Sequence, residues 1–142
     1  MANKIYPNWK EQLMQGAANT SLGGTVKAVL ARSASYTYSD SHNFLSDVGS
    51  AGTAYHATLS DALASKTFGT VGDAVFDAAD FKFTAPATDG NSYNQLLIIV
   101  DTGSASSSRL VAFYDTGVTG LPVTPNGGDV NVQLNASGIF TL

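Results

Sequence analysis

Asp101-Thr102-Gly103 and Asp115-Thr116-Gly117 are the residues of this chain whose type and spacing most suggest chemistry. Each tripeptide closes an apolar run, residues 96–100 and residues 110–114, so each would present a carboxylate where a strand ends. Two such carboxylates a few ångströms apart can share one proton. One then activates a water molecule while the other donates to the leaving group. That chemistry depends on proximity, and the elements carrying the two aspartates decide it.

Both runs are rich in Ile, Val, Leu, Phe and Tyr and are joined by a small, polar linker, residues 103–108. They read as strands buried on both faces, paired as an antiparallel hairpin at the centre of a sheet. In a hairpin Asp101 lies by the connecting turn and Asp115 at the far end of the second strand. Strand rise then separates them by on the order of 20 Å, which excludes a dyad within one chain. A retropepsin-like aspartic protease using Asp101 from each of two subunits stays open on this geometry. Such an enzyme also needs two apolar residues before a later glycine, whereas Gly138 follows Asn135-Ala136-Ser137, and a glycine-rich flap upstream is missing. The structural reading is that Asp and Thr bond to the turn backbone while Gly takes a positive φ.

Other chemistry finds less support. His42 and His56 lack a metal-ligand spacing, and Asp73, Asp77 and Asp80 lack the glycine and terminal acid of a calcium loop. The chain has no nucleophile elbow, no phosphate-binding loop and no cysteine. The expectation is a non-enzymatic protein without cofactor or metal.

Around the hairpin the pattern is that of a single all-β, mainly antiparallel domain with a short N-terminal helix. Helix is expected within residues 1–16, with Asn8 and Glu11 as a capping box, Gly16 as the stop, and Trp9, Leu13 and Ala17 as the apolar stripe. Strands are expected at residues 25–32, 35–39, 53–63, 79–84, 130–134 and 139–142, and one helical turn at residues 40–48. Turns surround Phe68, Val71 and Val75-Phe76, and residues 117–129 form a Gly/Pro-rich ordered loop. Short strands at regular intervals indicate a β-sandwich or jelly-roll-like barrel. The division is residues 1–17, arm and helix, and residues 18–142, the β-sandwich. Ile5, Tyr6, Pro7, Trp9 and Leu13 either cover the end of the chain's own core or anchor the arm to a neighbouring subunit.

Only 13% of the residues are charged, about half the usual share, and Glu11 is the sole glutamate. The net charge is −4 and the seven cations are scattered, which argues against direct nucleic-acid binding. No apolar run approaches membrane-spanning length, and the N-terminal residues lack a signal-peptide core. Synthesis and retention in a cytoplasm are expected.

Four stretches, MANKIYPNWKEQLMQG, TYSDSHNFLSDV, VFDAADFKF and SRLVAFYDTGVTGLPVTPNGGDVNVQ, resemble small structural proteins of tailed bacteriophages. The similarity runs over nearly the whole chain and is greatest to the capsid decoration, or cementing, proteins of Bordetella-type short-tailed phages. The resemblance implies a sandwich or jelly-roll protein made in the host cytoplasm and placed on the exterior of the virion. There it would form a homodimer or trimer and clamp adjacent major capsid proteins, with no catalytic residues. The alternative is a tail or receptor-binding module in which Tyr36, Tyr38 and Tyr55, expected to be exposed, stack on glycans.

Overall fold

The computed structural model describes residues 3–70 and 72–142, so the expectations placed on Met1, Ala2 and Val71 lie outside the described residues. In chain order the elements are β1 (Lys4–Ile5), α1 (Pro7–Met14), β2 (Val26–Ala31), a 3-10 turn (Leu45–Asp47), β3 (Val75–Phe76), β4 (Phe81–Phe83), β5 (Gln95–Val100), β6 (Arg109–Tyr114), β7 (Val130–Val132) and β8 (Phe140–Thr141). The described residues are thus mostly β, with antiparallel sheets and one short helix near the N-terminus. None of their helices is long and apolar enough to cross a membrane.

β5 and β6 form the expected hairpin, and all six residues of each strand are buried. They are the inner strands of a four-stranded sheet of order β1-β6-β5-β2. β2 pairs with β5 without interruption, from Val26 opposite Val100 to Ala31 opposite Gln95. The β5–β6 ladder is broken once: Ile98 faces Ala112 and Ile99 faces Leu110, so Val111 is an extra, bulged residue. Its freed carbonyl accepts the Tyr6 N–H at 2.9 Å, which ties the N-terminal segment to the hairpin.

Two two-stranded ribbons, β4–β7 and β3–β8, complete the ladders. In β4, Phe81 and Phe83 are buried while Lys82 points out and pairs with Asp129 at 3.0 Å, as alternation predicts.

Two expected strands are irregular. Residues 53–63 make only single bridges at Tyr55, yet they run along the outer edge of β2. The N–H groups of His56, Ser60 and Leu63 donate to the carbonyls of Leu30, Ala28 and Val26 at 2.8, 3.0 and 2.8 Å. The Ser60 hydroxyl oxygen in turn accepts the Ala28 N–H at 2.7 Å. A serine side chain here replaces a reciprocal backbone bond, and the ladder never becomes regular. Residues 35–39 have no ladder at all, because the alternating Tyr36 and Tyr38 are ordered through their rings, 6.1 and 5.3 Å from Phe113.

The N-terminal helix has the expected length of about two turns but is differently capped. Pro7 occupies the first helical position, where its fixed φ suits the helix and its missing N–H is no loss. Asn8 therefore lies inside the helix and cannot cap it. Tyr6 takes the cap position without a side-chain bond, and residues 4–5 are strand, paired with Phe113 and Ala112. Gly16, at φ 67°, does end the helix.

Candidate functional site

Each Asp-Thr-Gly loop is occupied by structural bonds. Asp101 lies two residues beyond Ile99, the partner of Lys27, so alternation puts both side chains on one face of the sheet. They form an ion pair at 3.0 Å. The other carboxylate oxygen of Asp101 accepts the Gly103 N–H at 3.0 Å and the Ser108 hydroxyl at 3.3 Å. Gly103 adopts φ 87°, which closes the turn. The second loop grips the start of the chain. The Asn3 side-chain oxygen accepts the N–H groups of Asp115 and Thr116 at 3.0 and 3.2 Å, and its amide donates to the Thr116 carbonyl at 3.1 Å. Register places the two aspartates at opposite ends of the hairpin, on the order of 20 Å apart, so they form no dyad within the chain.

Burial opposes ionisation of Asp101, but the Gly103 amide, the Lys27 ammonium and the Ser108 hydroxyl outweigh it and hold its carboxyl below the ordinary value. A lowered folded-state pKa stabilises the protein above the unfolded value, about 3.9, and that contribution is lost as pH falls through the folded value. Asp101→Asn is expected to cost about 1 kcal/mol at pH 7, a partly exposed pair being worth no more. The deficit should shrink toward pH 3 in urea titrations. A deficit unchanged with pH would show that the ion pair contributes nothing.

The five N-terminal candidates divide sharply. Tyr6 and Trp9 are fully buried in the chain's own core, whereas Ile5, Pro7 and Leu13 are half-buried. The Trp9 indole donates to the Thr20 carbonyl at 2.9 Å and meets the Phe140 ring edge-on at 6.0 Å. The Tyr6 and Tyr36 hydroxyls hydrogen-bond at 2.6 Å, and burial followed by the neighbouring Tyr36 raises the Tyr6 pKa. The two largest candidates thus serve the first of the two roles open to them, and in this conformation neither side chain reaches a neighbour. The 17/18 division is correspondingly a boundary between elements, because both sides contribute to one hydrophobic cluster.

Among the residues exposed near these rings are two large apolar side chains. Trp9 contacts Phe140, Phe140 lies 5.3 Å from Phe76, and Phe76 lies 5.8 Å from Phe68. The exposed large hydrophobic side chains among the described residues are Met14, Phe68 and Leu142. Phe68 lies against Phe76 of β3, Leu142 follows β8 and donates its N–H to the Ala74 carbonyl, and Met14 ends α1 on the side turned away from Trp9.

Tyr36 and Tyr55 are buried, so the expected row of exposed tyrosines is not formed. Only Tyr38 is half-exposed, its ring held 4.9 Å from Tyr6 and its hydroxyl donating to Asp40 at 2.8 Å. Burial pushes Tyr36 up to about 12. Beside these rings lies an open groove of about 450 Å³, lined by Tyr38, Asn94, Gln95, Phe113 and Thr116 among others.

The histidines are structural. His56 is buried, with one ring nitrogen 2.9 Å from the Ala87 carbonyl and the other accepting the Thr58 N–H at 3.0 Å. His42 hydrogen-bonds the Tyr36 hydroxyl at 3.0 Å. Among the described residues no group of three or more His, Asp or Glu is placed to hold a metal ion. Asp73 caps its own turn through Thr70, and Asp80 accepts from Gln133.

Among the buried polar residues that went unnoticed in the sequence are Gln95 and Arg109. Each is the polar first residue of an otherwise apolar strand, a position that reads as a strand end. Comparison with protein-family models, with curated proteins and with solved structures found no match.

Proposed function

We propose that this chain is a capsid decoration protein of a tailed bacteriophage, made in the bacterial cytoplasm and bound to the exterior of the head. Its partners are the major capsid protein and further copies of itself, as a dimer or trimer, and its strands belong to the sandwich or jelly-roll class. The four phage-like stretches motivate the reading. The observation that carries it is the exposure of Phe68 and Leu142 beside the Phe140–Phe76–Phe68 rings. Exposed apolar side chains gathered at one end of a domain mark a protein-binding surface more often than scattered ones do.

Cementing requires that the protein bind the assembled shell and not its separated subunits, so that binding free energy opposes disassembly. Many symmetry-related copies multiply a modest affinity per site. The docking surface is therefore assigned to Phe68 and Leu142, and not to the buried Tyr6 or Trp9.

The test is co-sedimentation with expanded heads that lack the protein, followed by thermal melting of the heads. Saturable binding and a raised melting temperature are expected. Phe68→Asp combined with Leu142→Asp should leave the fold intact by circular dichroism and weaken binding at least about 30-fold, the loss of roughly 2 kcal/mol at a central contact. No binding by the wild-type protein would overturn the reading and shift it to a tail or receptor role.

A further inference from the structure

Asn126 and Asn135 fold the same turn on the exposed surface but differ in the residue that follows. In each, the side-chain oxygen accepts the backbone N–H two residues on, that of Gly128 at 3.0 Å and that of Ser137 at 2.8 Å. Gly127 follows Asn126, whereas Ala136 follows Asn135, and Asn126 is the one asparagine of the chain that precedes a glycine. Residues 126–129 are all exposed, so water reaches the amide freely. The Gly127 N–H makes no hydrogen bond among the described residues, and Gly127 stands at φ 91°. A Cβ at that position would meet nothing closer than the Thr88 hydroxyl oxygen, 3.9 Å away.

We infer that Asn126 is a site of spontaneous covalent modification, its side-chain amide being converted to a carboxylate by attack of the Gly127 backbone nitrogen. A bond forms between that nitrogen and Asn126 Cγ, and the nitrogen gives up its proton. The Cγ–Nδ2 bond breaks, and the amide leaves as ammonia with the proton. Water then opens the resulting cyclic imide. Opening at Cγ gives aspartate, and opening at the main-chain carbonyl gives isoaspartate, in which the backbone runs through the side chain. The net change is one water in and one ammonia out, with no enzyme, metal or oxidant.

Three features of the loop favour the attack. A backbone nitrogen that donates to no acceptor loses its proton without breaking a bond of the fold. Glycine has no Cβ to obstruct the approach of its nitrogen to Cγ, and its backbone is the most permissive of all residues. The Gly128 N–H already lies on the Asn126 oxygen, which becomes the anionic oxygen of the tetrahedral intermediate, and a donor at 3.0 Å stabilises that charge as it develops. Asn135 has the same donor geometry, but Ala136 carries a Cβ. Asp89-Gly90 has the glycine, but its carboxylate is a poor electrophile and is held by the Tyr93 hydroxyl and the Asn91 N–H. The product adds a negative charge to a chain of net charge −4, three residues before Asp129, whose carboxylate accepts the Lys82 ammonium and the Ala85 N–H. Each copy changes independently, so a uniform population becomes a mixture of amide and carboxylate forms with age. The inference does not depend on the capsid reading.

The experiment is peptide-resolved mass spectrometry of the folded, full-length protein after incubation at neutral and mildly alkaline pH, with isoaspartate distinguished from aspartate by fragmentation. Asn126 should convert to both products, faster at the higher pH, while Asn135 stays an amide. Gly127→Ala should slow conversion about tenfold, about 1.4 kcal/mol of barrier. Ala136→Gly, a change at an exposed position, should bring Asn135 into reaction on the time course of Asn126. Circular dichroism checks the fold of both variants, and if either unfolds, the contrast between Asn126 and Asn135 in the unaltered protein decides alone. An Asn126 that stays an amide for as long as a free peptide of residues 123–131 takes to convert would overturn the inference, because the fold would then protect the site. Equal conversion of Asn126 and Asn135 would overturn it too, as would a folded Ala136→Gly protein in which Asn135 stays inert.

Discussion

Trp9→Ala is expected to destabilise the protein by about 3–5 kcal/mol, a large share of the 5–15 kcal/mol that holds a typical domain together. The indole is fully buried. Removing it empties a cavity between α1 and Phe140 and leaves the Thr20 carbonyl without the donor 2.9 Å away. Trp9→Phe keeps most of the volume and loses only the bond and the larger ring, so it should cost about 1–2 kcal/mol. Urea unfolding gives both numbers. A loss below about 1 kcal/mol for Trp9→Ala would mean that α1 does not dock as described. For the same reason, truncation of residues 1–10 is not expected to leave a folded body. It removes β1, Tyr6 and Trp9 together, and the expected product is largely unfolded.

Arg109→Ala should cost about 2–4 kcal/mol, although among the described residues its charge has no acidic partner within ion-pair distance. The side chain is 9% exposed. It makes three contacts to two segments: its Nε donates to the Ala18 carbonyl at 2.9 Å, a terminal nitrogen donates to the Asn43 side-chain oxygen at 2.7 Å, and its guanidinium lies 4.8 Å from the Phe44 ring centre. The first residue of β6 thereby fastens the linker after α1 and the loop before the 3-10 turn. A double-mutant cycle with Asn43→Ala isolates one of these bonds, and a coupling of about 1.5 kcal/mol is expected for a charged donor. Coupling near zero would show that the clamp is packing alone.

The sequence revealed most where side chains repeat on one face. The hairpin, β2, β4 and the Asp-Thr-Gly turns were legible, because burial on both faces, strict alternation and turn chemistry are all local signals. Residues 53–63 showed the same alternation but lacked a ladder, since Ser60 bonds through its side chain to a strand distant in sequence. The helix start was misread because two local rules competed at adjacent positions, and Pro7 prevailed over Asn8. Tyr6 and Trp9 were recognised as anchors, but whether an anchor faces inward depends on a cavity assembled from Phe113, Tyr36 and Phe140. Gln95 and Arg109 were invisible for a related reason: a polar residue beginning an apolar run looks solvated until the neighbours that bury it are known.

The outer edges of the central sheet have a consequence for how this protein can gather into arrays. One edge is occupied along β2 by the N–H groups of residues 56, 60 and 63. The other is covered by the two-residue β1 and by the bonds from Leu110 to Asn43 and from Leu45 to Ser108. Unpaired strands template one another without limit, and a chain this poor in charge has little repulsion to stop them. With those edges filled, copies can be crowded at high local concentration without seeding cross-β fibrils. Contact between them is left to side chains, whose geometry can close into a finite ring instead of growing end to end.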